Sequence, residues 1–338
     1  MASTPVFISF RASGLGGGVT DAQLFRIEPF AGYRWRDWTY AAHQRTDLKP
    51  LPLMSAERSA PLQGREVWFL VHGFNTDRDR GFMSLGAAVQ EAMGLGVRTD
   101  PLFSPVDNLI PVLWPGDSAG FAPTRPLGYP NEIEDVRETA KHFARLLLDP
   151  RTRPARINFV THSLGARVAL DTLRLVTADA NAPQVGTVLL MAAAADDDIL
   201  DDPRFDGAVR AIERIIVLSS DTDRVLTWAF PPGDVLEAAL HQGERPSLHA
   251  LGKFGPRLKK DSPAAGKVEW RHHRVVQDHN DYNAWPWNFP SKDNGWNASR
   301  WRTHRFIRRA AIDYDPAHPD AWQEPDRPIV ARVPRVSA

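Results

Sequence analysis

The chain has 338 residues, enough to bury the core of one large α/β domain or of two smaller domains. Its 41 lysines and arginines balance its 41 aspartates and glutamates, so it lacks the excess basic charge that binds nucleic acid. It has no cysteine, which excludes disulfides and thiolate chemistry, and no apolar run of about 18 residues, which argues against a membrane span. Residues 1–10 lack the basic start and apolar core of a signal peptide, so we expect a cytoplasmic location.

Residues 1–60 predict an N-terminal β extension that leads into a larger sheet. Val6–Phe10 and Leu24–Phe30 have the alternation typical of strands, and Tyr33–Tyr40 adds an aromatic stretch. The glycine-rich run Gly14–Gly18 lacks the last glycine of a dinucleotide fingerprint and the Lys-Ser/Thr pair of a P-loop. We therefore interpret this run as a flexible turn and not as a phosphate site.

Apolar runs farther along the chain predict the buried parallel strands of a central sheet. Helices are predicted over Arg78–Met93 and Asn131–Leu148, where apolar residues recur at helical spacing. Pro111 interrupts one of the strands and predicts a bulge or an edge position there. The predicted strands are Val67–Val71, Leu109–Gly116, Ile157–Val160, Thr187–Ala194, Ile215–Ser220 and Val268–Val276.

The segment Arg156–Leu173 predicts a buried strand, a sharp turn that carries Ser163, and an amphipathic helix, with no residues to spare between them. A serine at such a turn is raised off the carboxyl edge of the sheet. The helix N-terminus behind it offers unpaired N–H groups and a positive dipole end, which suit a developing oxyanion. One helical stripe is formed by Ala166, Ala169, Leu170 and Leu173.

The pentapeptide Thr161-His162-Ser163-Leu164-Gly165 resembles the nucleophile elbow of the α/β-hydrolase superfamily, with threonine where glycine is commonest. The turn His72-Gly73-Phe74-Asn75 resembles the loop that supplies the superfamily's other oxyanion donor. Together with Trp114-Pro115, these motifs resemble a bacterial branch of the superfamily over roughly residues 65–225. The resemblance implies an α/β-hydrolase fold, with a mostly parallel sheet and helices on both faces.

The same resemblance implies roles for particular residues. The N–H groups of Phe74 and Leu164 would form the oxyanion hole, and His72 would be a structural hydrogen-bonding residue. The superfamily's chain order of nucleophile, acid and histidine is matched by Ser163, Asp223 and His279, each expected at the end of a strand.

The identity of the acid stays open at this point. Asp221 is an alternative to Asp223 because both follow the strand that ends at Ser220. Asp196 is a third candidate, because some members of the superfamily take their acid from the end of the preceding strand. The five aspartates of the run 196–202 lack the spacing of a calcium loop, which favours a helix cap and solvated charge.

We predict one α/β-hydrolase domain over residues 61–312, followed by an extended tail over 313–338. Residues 226–267 form an apolar helical insertion that either caps the pocket or packs against its flank. The predicted function is that of a serine hydrolase that cleaves small-molecule carboxylic esters through an acyl-enzyme, with neither a metal nor an organic cofactor. An acyltransferase with the same triad is one alternative. A catalytically silent binding module is another, kept open by Thr161.

Overall fold

The computed structural model describes residues 6–12, 18–26, 49–51, 61–74, 81, 85, 108–116, 129–228, 230–231, 248–273, 279, 329–332 and 335–337. The strands are β1 (Val6–Arg11), β2 (Val19–Arg26), β3 (Lys49–Leu51), β4 (Glu66–Val71), β5 (Asn108–Leu113), β6 (Arg156–His162), β7 (Gln184–Met191), β8 (Ile212–Ser219), β9 (Arg257–Lys259), β10 (Val268–His273), β11 (Ile329–Arg332) and β12 (Arg335–Ser337). The helices are α1 (Tyr129–Leu148), α2 (Gly165–Val176), α3 (Asp206–Ala211), α4 (Arg224–Trp228) and α5 (Leu251–Phe254).

Ten of these strands form one sheet, in the order β11-β10-β8-β7-β6-β4-β5-β1-β2-β3. The strands from β10 to β1 in this order run parallel to their neighbours, whereas β11 at one side and β2 and β3 at the other are antiparallel. A mostly parallel sheet with helices packed on it confirms the predicted fold class. The carboxyl ends of β4, β6, β7 and β8 meet at one edge, which is where ligands bind in open α/β sheets.

Helix α1 begins and ends within two residues of the predicted bounds. Its apolar stripe, which indicated those bounds in the sequence, is the side of the helix that faces the sheet. Phe143 lies at the centre of this contact. Its ring centroid is 5.1 Å from that of Phe10, 4.9 Å from that of Phe69 and 5.9 Å from that of Phe159. These aromatic contacts join α1 to three strands of the sheet, β1, β4 and β6, and so bury the middle of the domain.

The predicted edge position at Pro111 is confirmed locally, although β5 as a whole is an interior strand of the sheet. Pro111 pairs in register with Leu70 of β4, and the pairing of β5 with β1 begins at the next residue, Val112. A proline lacks one backbone donor, and that loss matters only where the neighbouring strand needs the donor. Pro111 is therefore accommodated at a position where β5 pairs with β4 and does not yet pair with β1.

The two ends of the described chain also differ from expectation. Strand β2 begins at Val19, not at Leu24, and residues 27–48 lie outside the described residues, as do most of Gly14–Gly18 and of Arg78–Met93. Within the predicted tail, β11 pairs with β10 and β12 pairs with β9. Strands of four and three residues are too short to show a clear alternation, so this pairing was not predicted.

Strand β6 passes into α2 with almost no free space around Gly165. A Cβ atom at this position would lie 2.4 Å from the carbonyl oxygen of His72 and 2.8 Å from that of Val71. Neither oxygen belongs to a flexible side chain, so the backbone of β4 itself would have to move. The glycine therefore allows the elbow and the end of β4 to touch.

We expect Gly165→Ala to lower the free energy of unfolding by about 3 kcal/mol, because overpacking against backbone cannot relax. Gly207→Ala is the matched control, since a Cβ there meets its nearest atom at 3.9 Å within a helix. That control should be neutral or slightly stabilising. Urea unfolding of both variants measures the difference, and equal stability of the two would contradict the close approach.

Candidate active site

Ser163 stands between β6 and α2 with a positive φ of 53°, which is uncommon for a residue other than glycine. Two of its main-chain hydrogen bonds join it to the end of β7 and the residues that follow β7. Its N–H donates to the carbonyl oxygen of Met191 at 2.9 Å, and its own carbonyl oxygen accepts from the N–H of Ala194 at 3.2 Å. Strain of this kind persists only where the surroundings over-determine it, and it collects at functional sites.

Thr161 fills the position where glycine is commonest without leaving a buried hydroxyl unpaired. It is fully buried, and its Oγ1 donates to the carbonyl oxygen of Leu189 on the neighbouring strand β7 at 3.0 Å. A satisfied hydroxyl removes the main penalty of placing a polar side chain in the core. The departure from the usual motif is thus compatible with a well-formed turn.

The turn after β4 is built around the buried ring of His72. Its Nε2 accepts the N–H of Trp114 at 3.2 Å, so the proton lies on Nδ1, which donates to the carbonyl oxygen of Gly73 at 2.7 Å. The Trp114 indole N–H donates to the carbonyl oxygen of His72 at 2.8 Å, and the two rings stack. Burial lowers the pKa of His72 to about 4, so the ring is neutral and both nitrogens are in use. His72 therefore has the structural role predicted for it.

Gly73 brings this turn against Ser163. A Cβ on Gly73 would lie 2.7 Å from the Cβ of Ser163 and 3.0 Å from Nδ1 of His162. Phe74 follows directly, and Leu164 follows Ser163 at the start of α2. Within the part of the chain that the structure describes, neither N–H of these two residues has a hydrogen-bond acceptor. Phe74 and Leu164, the two predicted oxyanion donors, thus directly follow Gly73 and Ser163, which are in contact with each other.

His279 and Asp223 meet at the same edge of the sheet. The Nδ1 atom of His279 lies 2.7 Å from Oδ2 of Asp223, and both side chains are buried. The other carboxylate oxygen accepts the N–H of Leu226 at 2.9 Å, which caps helix α4. Because the carboxylate is held from both sides, it fixes the orientation of the imidazole.

The other two candidate acids are placed elsewhere. Asp221 directs its carboxylate toward Nε2 of His272 at 3.4 Å, and 63% of its side chain is exposed. Asp196 forms a backbone bridge with Ala250. Of the three candidates, Asp223 is the one whose carboxylate contacts His279.

His162 is a residue of the site that the sequence did not single out. Its Nε2 lies 2.9 Å from the carbonyl oxygen of His279, and the two ring centroids are 4.8 Å apart. Burial, and then the neighbouring His279, lower the pKa of His162 to about 3. Only its place beside Ser163 could have drawn attention to it, because its partner lies 117 residues away.

Part of the predicted insertion 226–267 packs on the carboxyl ends of β7 and β8. The N–H of Leu251 donates to the carbonyl oxygen of Ala195 at 2.7 Å, and the N–H of Ser220 donates to that of Gly252 at 3.0 Å. Residues 232–247 lie outside the described residues. A cap over the pocket therefore stays a prediction.

The acidic run 196–202 is partly buried, which corrects the expectation of solvated charge. Asp197 is fully buried and pairs with Arg257 at 3.1 Å, and Asp198 contacts the same guanidinium at 2.7 Å. Asp202 caps a 3-10 helix by accepting the N–H of Arg204 at 2.8 Å, as predicted for a helix cap. Within the described ranges, no group of three histidine, aspartate or glutamate side chains could hold a metal ion.

A serine turn at the carboxyl edge of a mostly parallel sheet, with an Asp–His pair beside it, is the arrangement of an α/β hydrolase. The chain belongs to the family described as "Alpha/beta hydrolase of unknown function (DUF900)", whose model matches residues 57–231. Ser163 and Asp223 lie within the matched residues, and His279 lies beyond them. None of the curated proteins compared with the chain matches it. Among the described helices, none combines the length and the apolar character needed to cross a bilayer.

The solved structures to which this chain is similar are distant from it. The lin2722 gene product of Listeria innocua is 12% identical with a TM-score of 0.33, over 72% of this chain and 94% of that chain. The dienelactone hydrolase-like promiscuous phosphotriesterase P91 from metagenomic libraries is 11% identical with a TM-score of 0.35, over 73% and 85%. Inhibited esterase B from Lactobacillus rhamnosis is 10% identical with a TM-score of 0.27, over 59% and 68%. At such identities and scores, the family match alone assigns the class.

The two neutral histidines make stability depend on pH. His72 and His162 have folded-state pKa values of about 4 and about 3, below the ordinary value of 6.5, so the unfolded chain binds more protons as the pH falls below 6.5. Their stabilisation is fully present above pH 6.5 and is lost on acidification, by about 1.4 kcal/mol per pH unit for each ring. Urea unfolding between pH 6.5 and 4.5 should show this slope.

His162→Gln is the control variant, because glutamine cannot take up the proton. The slope of its unfolding free energy against pH should be smaller than that of the wild type. The expected difference is about 1.4 kcal/mol per pH unit, which corresponds to the uptake of one proton. Carboxylates that titrate in the same range affect both proteins equally. Identical slopes would contradict a buried neutral His162.

Proposed function

We propose that this α/β hydrolase cleaves small-molecule carboxylic esters through an acyl-enzyme formed on Ser163. The observation that carries the proposal is the 2.7 Å contact between His279 Nδ1 and Asp223 Oδ2, at the sheet edge where Ser163 has its strained turn. An activated serine needs a base that takes its proton and an acid that orients that base. Together the three side chains supply these roles in the chain order of the superfamily.

In the proposed first step, His279 Nε2 takes the Oγ proton of Ser163 as the oxygen attacks the ester carbonyl. The Asp223 carboxylate keeps the other proton on Nδ1 and stabilises the imidazolium that forms. His279 then gives its proton to the leaving alcohol as the tetrahedral intermediate collapses. In the second step His279 accepts a proton from water as the water oxygen attacks the acyl-enzyme. His279 then returns that proton to Ser163 Oγ as the second tetrahedral intermediate collapses and releases the carboxylic acid.

The oxyanion of both intermediates would lie between the N–H groups of Phe74 and Leu164. Both lie beside the Gly73–Ser163 contact, and neither has a competing acceptor among the described residues. Fixed backbone donors need no reorganisation during the reaction. One such donor typically contributes about 10²- to 10³-fold in rate.

The neutral state of the two neighbouring histidines supports the same assignment. A positive charge on His72 or His162 would oppose the imidazolium that must form on His279, and burial keeps both uncharged. The satisfied hydroxyl of Thr161 supports an active serine over a silent binding module, because the residue fits its strand without distortion of the turn.

We expect a fluorophosphonate probe to add once to the wild-type protein and not at all to Ser163→Ala, as measured by intact mass. Turnover of p-nitrophenyl esters by Ser163→Ala should fall by at least about 10³-fold with the fold intact. Ser219→Ala is the matched control, since Ser219 is another buried serine at the end of a central strand. A folded wild-type protein that takes no label, or a Ser163→Ala variant with unchanged activity, would refute the proposal.

Asp223→Asn should lower ester turnover by about 10⁴-fold, because an amide no longer favours the tautomer that leaves Nε2 free. Asp221→Asn should change it by less than about twofold, since its exposed carboxylate contacts His272 and not His279. Steady-state kinetics of both variants, with one p-nitrophenyl ester, make the comparison. The reverse ranking would assign the acid to Asp221.

A further inference from the structure

His162 forms a direct link between the nucleophile turn and the residue proposed as the base. It precedes Ser163 in the chain, 5% of it is exposed, and its Nε2 lies 2.9 Å from the main-chain carbonyl oxygen of His279. The rings of the two histidines also touch, with centroids 4.8 Å apart. No step of the proposed reaction uses this buried ring, so its contact needs another explanation.

The direction of the hydrogen bond follows from its partner. A carbonyl oxygen only accepts, so Nε2 of His162 carries the proton and donates it. The lowered pKa of about 3 keeps the ring neutral, which leaves Nδ1 without a proton. Nδ1 faces Gly73, where a Cβ atom would come within 3.0 Å of it. The ring is therefore wedged between the oxyanion turn and the base.

His279 is thus held at two points that differ in kind. Asp223 holds the imidazole through Nδ1, and His162 holds the main chain through the carbonyl oxygen. A single contact to the ring leaves the backbone of His279 free to shift, and a shift of about 1 Å at a reacting group can cost about 10²-fold in rate. Because His162 and Ser163 are adjacent, the second contact ties the base to the nucleophile through one peptide bond.

We infer that His162 is a positioning residue, whose hydrogen bond to the His279 carbonyl sets the distance between the base and Ser163. This inference rests on the proposed function of Ser163 and His279. It differs from a packing role, because it depends on one donated proton at one atom. A side chain with a donor at the same reach should replace histidine, and an apolar side chain of similar size should not.

The test compares His162→Leu with His162→Gln, whose amide Nε2 is as many bonds from Cα as the Nε2 of histidine. The first readout is the far-downfield proton resonance of the His279–Asp223 hydrogen bond, which needs no substrate. The second is the rate of fluorophosphonate labelling, with kcat and KM for one p-nitrophenyl ester. Circular dichroism and thermal unfolding verify that each variant is folded.

We expect His162→Leu to lose or broaden the resonance and to slow labelling by about 10- to 100-fold, with kcat reduced and KM little changed. His162→Gln should recover the resonance and most of the rate. If His162→Leu does not fold, His162→Met provides an unbranched apolar side chain for the same comparison. An unchanged resonance and labelling rate in a folded apolar variant would overturn the inference, as would an equal loss in His162→Gln.

The two readouts separate this inference from the proposed function. A resonance that depends on the hydrogen-bond donor at position 162 supports the positioning role, whether or not Ser163 reacts with the probe. A wild-type protein that shows this resonance but takes no label refutes the function of Ser163 and not the hydrogen bond.

Discussion

The approach of two backbones at the carboxyl ends of β4 and β6 is the constraint on which the rest of the site depends. Gly165 lies against the carbonyl oxygen of His72, and Gly73 lies against the side chain of Ser163. No other residue type leaves room for both contacts. This approach sets the strained φ of Ser163, brings the oxyanion turn beside it and leaves a narrow space for the His162 ring.

Three buried histidines surround this contact, and their surroundings give them different tasks. One ring nitrogen of His72 donates to Gly73 in the turn after β4, and the other accepts the N–H of Trp114 after β5. The protonated nitrogen of His162 donates to a carbonyl oxygen. Neither meets a carboxylate, so burial favours the neutral form of each. His279 alone has a buried carboxylate at Nδ1. In the proposed reaction, this carboxylate orients the ring of His279.

The sequence predicted those features that depend on residues close together in the chain. The serine turn, the glycine behind it and the stripe of α2 lie within one stretch, so their spacing carries the information. The bounds of α1 followed from its apolar periodicity. The choice between Asp221 and Asp223 does not follow from spacing, because both residues closely follow strand β8. They differ in the direction of their side chains, which the sequence does not give. The His162–His279 contact depends on which segments become neighbours, and a single sequence does not state this.

The strand order also sets the sequence of events in folding. Ser163 and Asp223 lie in the stretch 156–228. Strand β10 pairs with β8 from a position about 50 residues later in the chain, and its other partner, β11, lies at Ile329–Arg332. Contacts between distant segments require the closure of long loops and form slowly. During synthesis, Ser163 and Asp223 therefore emerge well before His279 and β11, the edge strand beside β10. On the proposed mechanism, a partly synthesised chain would hold Ser163 before the histidine that is to deprotonate it, so activity would have to wait for the C-terminal part of the domain.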